Sequence, residues 1–156
     1  MRKTRAKTRP LLPDPRFNDP LVTRFVNNLM YDGKKSTAFT IFYDAIDIVS
    51  EKSGEANGLD QWKTALTNVM PHVEVRSRRV GGSTFQIPQQ IRPERKISMA
   101  MKWMIGYARS RNEKSMAAKL AGEIMAAAKE EGAAVKKRMD VHKMAEANKA
   151  FSHFRF

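Results

Sequence analysis

Apolar residues recur every three to four positions along most of this chain, and that spacing predicts a succession of amphipathic helices. Leu21, Val22, Phe25, Val26, Leu29 and Met30 form the first stripe. It follows Asp19-Pro20, a capping acid before a proline at the first helical position, and Gly33 is its stop signal. A second helix is expected from about Ser36 to Ser53, with Ala38, Phe42, Ala45, Ile46 and Val49 inward and Gly54 at its end. Glu55 to Gly58 reads as a polar loop. A third helix, from about Asp60 to Met70, would bury Trp62, Ala65, Leu66 and Val69 before Pro71 ends it.

The period then falls from 3.6 to 2. Val73 to Val80 reads as a strand, Gly81-Gly82 as a tight turn that needs positive φ, and Ser83 to Ile87 as the return strand, closed by Pro88. A two-residue loop places Val80 opposite Ser83, Arg78 opposite Phe85 and Arg76 opposite Ile87, all on one face. Helical spacing resumes at Pro93 with Ile97, Ala100, Met101, Met104, Ile105 and Ala108. After a break at Asn112, a fifth helix from about Ser115 to Glu131 uses Met116, Leu120, Ala121, Ile124, Met125 and Ala128. Gly132 separates it from a more polar sixth helix, about Ala133 to Lys149. The expected fold is mainly α. Residues 17–156 form a six-helix single domain, with one long β-hairpin (72–89) projecting between helices three and four. Residues 1–16, broken by Pro10, Pro13 and Pro15, form an extended basic N-terminal arm.

Composition sharpens this picture. A chain of 156 residues with 42% hydrophobic content can bury a core of its own. There is no cysteine, which excludes disulfides and thiolate metal sites and fits a reducing, cytoplasmic setting. No stretch approaches the roughly 18–20 apolar residues of a membrane span, so no membrane partner is expected. The charged segment Met1–Arg9 has no apolar run behind it, unlike a secretory signal. The net charge of +13 dominates: uncompensated charge of that size opposes compaction, and a polyanion relieves it.

The cations cluster outside the helix interiors. Arg2, Lys3, Arg5, Lys7 and Arg9 lie in the arm, and Lys34 and Lys35 in the first interhelical turn. The hairpin carries Arg76, Arg78 and Arg79, with Phe85 placed either to stack on an unpaired base or to dock on the protein's own core. Arg92, Arg95 and Lys96 open the fourth helix, where the macrodipole disfavours cations. Lys102, Arg109, Arg111 and Lys114 continue along it and into its loop. Charge spread over arm, turns and hairpin suits a folded RNA, whereas a major-groove DNA reader concentrates contacts on one helix. A helical DNA-binding regulator remains the alternative.

Catalytic chemistry finds no foothold. His72, His142 and His153 are scattered without metal-ligand spacing. Gly81-Gly82 lacks the pattern of a phosphate-cradling loop, and no glycine-flanked serine suggests a nucleophile. Neither an enzyme nor a metal or cofactor site is expected.

Read together, several stretches resemble the bacterial small-subunit ribosomal protein S-seven family. The most similar is the hairpin from Val73 through Gly81-Gly82 to Pro88. Leu12-Pro13-Asp14-Pro15, the run Asp32 to Ala38, Lys114-Ser115-Met116-Ala117, the run Ala134 to Arg138 and the run Asp140 to Phe151 follow in family order. The resemblance implies a ribosomal structural protein and primary rRNA binder that nucleates assembly of the subunit head. It implies a position near the exit-site tRNA and the outgoing mRNA, beside neighbouring small-subunit proteins and not as a homo-oligomer. The hairpin arginines, Lys34, Lys35 and Lys114 match RNA-facing positions of the family. The hairpin tip, Val80, Gly81, Gly82 and Ser83, matches the part that approaches tRNA. Met70 stands where a basic residue is frequent.

Overall fold

The computed structural model describes residues 4, 6, 7, 9–53 and 57–154. Its elements run α1 (Pro20–Leu29), α2 (Lys35–Ser53), α3 (Gly58–Val69), β1 (Val73–Val80), β2 (Ser83–Gln90), α4 (Pro93–Arg109), α5 (Met116–Ala128) and α6 (Ala133–Ala147). A 3-10 helix over Lys149–Phe154 follows. The six α-helices and the hairpin between the third and fourth agree with the periodicity of the sequence. The 3-10 helix has no counterpart in that reading.

Local chemistry sets the boundaries. The Asp19 carboxylate accepts from the Leu21 N–H at 2.8 Å, and Pro20 takes the first helical position. Ser115 caps α5 by accepting from the Ala118 N–H at 3.1 Å. That helix ends at Ala128, three residues short of the expected Glu131, because Glu130 turns to a φ of 59°. Gly58 is not loop: it is the first residue of α3. A Cβ there would lie 2.5 Å from Ser50 Oγ and 2.6 Å from the Ile46 carbonyl, so this glycine lets α3 begin against the side of α2. Its N–H donates to Ser50 Oγ at 3.0 Å.

Five of the helices pack through α5, which touches α2, α3, α4 and α6. Its buried Ala117, Leu120, Ala121, Ile124 and Ala127 alternate small and branched side chains, so neighbours approach closely. Phe25, Phe42 and Trp62 form a second focus where α1, α2 and α3 meet, with ring centroids 5.3–5.4 Å apart and Trp62 edge-on to both phenylalanines. Met101 and Met104 are fully buried, so those methionines are packing residues.

The hairpin register is Val80↔Ser83, Arg78↔Phe85 and Arg76↔Ile87, as a two-residue loop requires. Gly81 and Gly82 adopt φ of 57° and 91°, the positive pair of a type I′ turn. Pro88 does not close β2. The strand continues to Gln90, with Pro88 opposite Val75. Each strand of a two-stranded ribbon has an outer edge, where a residue without an N–H forfeits no ladder bond.

Candidate nucleic-acid interface

The hairpin is two regions in one. Its root is built into the domain. Glu74 is only 7% exposed, and its carboxylate bonds Arg76 Nε and Arg95 Nη2, both at 2.8 Å. Burial alone would raise the Glu74 pKa. The hydrogen bonds and charges of Arg95 and Arg76 overcome that and hold it below the ordinary glutamate range. Across the ribbon Ile87 is 1% exposed, and the Ile91 N–H donates to the His72 carbonyl at 3.2 Å. Phe85 is half-buried, and its ring centroid lies 5.3 Å from that of Phe151 in the 3-10 helix. One part of the Phe85 ring therefore meets its own chain, and the rest stays accessible.

His72 and His142, seventy residues apart, also meet at this root. The His72 backbone N–H donates to His142 Nε2 at 3.1 Å, and their ring centroids lie 5.9 Å apart. Lys96 Nζ approaches His72 Nδ1 at 3.4 Å. Desolvation, then Arg138 and His72, keep the His142 pKa below its usual value. Accepting an N–H at Nε2 requires that nitrogen to be unprotonated. The histidines read as scattered therefore include a structural pair.

Beyond the root, the hairpin projects. Ser77, Arg78, Arg79 and the tip from Gly81 to Thr84 are exposed, with Val80 half-buried. Eight residues per strand reach about 26 Å at roughly 3.3 Å each. Arg92 is exposed beside the root at the start of α4.

A second basic pole lies at the far end of α4, whose 17 residues span about 25 Å. The Arg109 guanidinium sits 4.0 Å over the Tyr31 ring, donates to the Tyr31 hydroxyl and also bonds the Leu29 carbonyl at 3.1 Å. Lys34, Lys35 and Lys114 are exposed nearby in sequence or fold, and Lys35 Nζ lies 5.7 Å from the Phe39 ring centroid. Arg111 turns inward. It bonds Glu113 at 2.9 Å and the fully buried Glu123 at 3.0 Å, and Glu123 in turn accepts the Ala134 N–H at 2.9 Å. Burial pulls the Arg111 pKa down, but its two carboxylate partners raise it further.

In the arm, Lys7 and Arg9 are exposed, while Arg2, Lys3 and Arg5 lie outside the described residues. Its junction with the domain is fixed by Asp14, 2% exposed, which accepts from the N–H groups of Arg16, Phe17 and Asp19 at 3.0–3.1 Å and from the Tyr43 hydroxyl at 3.1 Å. Arg16 closes the junction by a bidentate pair with Asp47 at 2.6 and 3.0 Å.

Three buried carboxylates thus escaped the sequence reading. Asp14, Glu74 and Glu123 each fasten a junction: arm to domain, hairpin to α4, and α5 to α6. Arg95 and Arg111 serve these carboxylates, and Arg109 serves the end of α1. Among the described residues, no three histidine, aspartate or glutamate side chains converge as metal ligands would. No described helix is long and apolar enough to cross a membrane.

A helical domain that carries its excess cations outward on an arm, a turn and a projecting ribbon belongs to the class of proteins that pack against folded polyanions. Comparison with known proteins makes the class specific. Residues 1–149 match the family described as ribosomal protein S7p/S5e. The chain is 80% identical, over 100% of both chains, to small ribosomal subunit protein uS7 of Flavobacterium psychrophilum. It is 69% identical to the uS7 protein of Cytophaga hutchinsonii, again over both whole chains, and 59% identical to that of Desulfosudis oleivorans over 99% of each. The chain belongs to the ribosomal protein S7p/S5e family. It is a structural, rRNA-binding protein of translation and not an enzyme.

Proposed function

We propose that this chain is a structural constituent of the small ribosomal subunit, a primary rRNA binder that nucleates assembly of the subunit head and lies near the exit-site tRNA and the path of outgoing mRNA. The observation that carries this is the placement of charge in a member of a ribosomal family. At the root one buried carboxylate, Glu74, engages both Arg76 and Arg95, while Arg78, Arg79, Lys34, Lys35, Arg92 and Lys114 lie exposed at the surface with the arm's Lys7 and Arg9. Phosphates of folded rRNA are the partner that placement fits. In this reading Arg2, Lys3 and Arg5 extend the same contact along the arm. Arg76, Arg95, Lys96, Arg109 and Arg111 divide their hydrogen-bonding capacity between the domain and RNA. The tip is exposed from Gly81 to Ser83 at the end of two eight-residue strands, which supports a role for Val80 to Ser83 in approaching tRNA. Neighbouring small-subunit proteins cover the remaining surface, and the chain acts as a single copy in the cytoplasmic ribosome.

The test is competitive binding of the full-length protein to a transcript of the small-subunit head rRNA and to duplex DNA of equal length, followed by crosslinking in lysate and sequencing of the attached RNA. The reading predicts preference for the rRNA and crosslinks confined to the head domain. Preference for duplex DNA would favour a DNA-binding regulator instead.

A further inference from the structure

Among the described residues, Tyr31 is the aromatic ring that stands out as exposed, at 65%. A lone surface tyrosine is ordinary. This one is mounted. The Lys34 N–H donates to the Tyr31 carbonyl at 2.9 Å across Asp32 and Gly33, which take φ of 53° and 72°. Two consecutive positive φ values and that closing bond make a tight I′ turn, so the backbone on both sides of the ring is held. The side chain is held as well. Arg109 covers one ring face at 4.0 Å, donates to the phenol oxygen, and is itself tied to the carbonyl of Leu29 at the end of α1. One face of the ring is thus occupied by a guanidinium and the ring remains largely in water.

That arrangement has an uneven cost and purpose. A tyrosine with two rotatable bonds is cheap to immobilise, and here it is immobilised before any ligand arrives. A ring backed by a cation and open on its other side presents a flat, polarised surface to a second flat group. Its surroundings select the class of that group. Lys34 sits at the other end of the same turn, Lys35 follows it, and Arg109 lies behind the ring, against one exposed acid, Asp32. A planar ligand bearing phosphates on either side meets both features.

We propose that Tyr31 is a stacking platform for one unpaired RNA base, with Lys34 and Lys35 taking the phosphates that flank it. This rests on the rRNA-binding reading above and adds to it a base-stacking residue about one α4 length away from the hairpin root. Base stacking on an aromatic side chain tolerates any base, so the platform fixes where an unpaired nucleotide lies without reading its identity. Tyr31 and Arg109 act as one unit: the guanidinium sets the ring's angle, and the ring receives the base.

The experiment uses the full-length protein and the head rRNA transcript at fixed salt. Tyr31→Phe keeps the ring and should bind within about threefold of wild type. Tyr31→Leu keeps apolar bulk without a π face, and it should weaken binding roughly 5- to 100-fold, the range expected for loss of one stacked base. The salt dependence of Tyr31→Leu should match wild type, because no phosphate contact is removed, whereas Lys34→Ala with Lys35→Ala should flatten it. Ultraviolet crosslinking should join the peptide containing Tyr31 to a nucleotide that is unpaired in the transcript. Wild-type affinity for Tyr31→Leu, or a crosslink only to a neighbouring protein in assembled subunits, would overturn the platform while leaving rRNA binding intact. If the wild-type protein ignored the transcript altogether, the rRNA-binding reading itself would fall first.

Discussion

The two halves of the hairpin are made from the same kind of sequence and do different work. The root holds Glu74, Arg76 and Ile87. There a buried carboxylate binds two guanidiniums, an isoleucine closes over the apolar interior, and a histidine on α6 receives a backbone N–H from His72. The outer half holds Arg78, Arg79 and the two turn glycines, all exposed. Arg76 and Arg78 are two residues apart on one face, yet Arg76 reaches back to Glu74, whereas Arg78 lies further out opposite Phe85. The lesson is that counting cations overstates the interface. An arginine held by a buried acid, as Arg76 is by Glu74, serves the fold first.

Changes at the root should therefore act on folding, and changes beyond it on RNA. The largest effect expected is from Ile87→Ala, which empties a fully buried site and should cost about 2–5 kcal/mol in chemical denaturation. A cost under 1 kcal/mol would mean that the ribbon is not part of the cooperative core. Glu74→Gln keeps the shape but removes the charge shared by Arg76 and Arg95, and should cost about 1–3 kcal/mol. If denaturation were unchanged while RNA affinity rose, the carboxylate would be a brake on binding and not a fastener. Deleting Met1 to Arg9 stops short of the Asp14 junction. It should lower rRNA affinity on the order of tenfold at moderate salt with the melting temperature unchanged; a clear drop in melting temperature would place arm residues in the fold.

The smallest effect is on pH dependence. His142 has a depressed pKa in the fold, set by desolvation and by the neighbouring Arg138 and His72. A base depressed on folding stabilises the native state above its unfolded value, about 6.5, and that contribution is lost as pH falls through the folded value. Lys96, next to His72, adds positive charge to the same corner. Asp14 and Glu74 are depressed too, so their contributions disappear only in the lower, carboxylate range. His142→Gln retains an acceptor that gains no proton near neutrality. Between pH 7.5 and 5.5 its melting temperature should fall less than that of wild type. Equal falls would show that the histidine contact does not titrate in that window.

Much of the fold was legible because its signals are local. Periodicity located the helices, and Gly81-Gly82 set the hairpin register, since a two-residue turn with two positive φ values leaves only one pairing. The parts that were not legible depend on contacts distant in sequence. Glu123 lies between Gly122 and Ile124 on a helix and has no local partner in sequence, but the fold brings Arg111 and the start of α6 to it. His72 and His142 share no local pattern. Gly58 resembles a loop glycine, and only the proximity of Ser50 and Ile46 reveals its use. The candidate interface was legible as a region and not as individual contacts: the arm, turn and hairpin were marked by charge, while the inward turn of Arg111 and the engagement of Arg95 require buried partners that the sequence presents as ordinary acids.

The salt dependence of head rRNA binding tests the division most directly, measured for wild type and for the double variant Arg78→Ala with Arg79→Ala. If the outer hairpin meets phosphate, the double variant loses about 1.4–1.8 from the slope of log affinity against log salt, at an unchanged melting temperature. An unchanged slope, or a loss of affinity accompanied by unfolding, would contradict the assignment of the root to folding and the outer half to RNA.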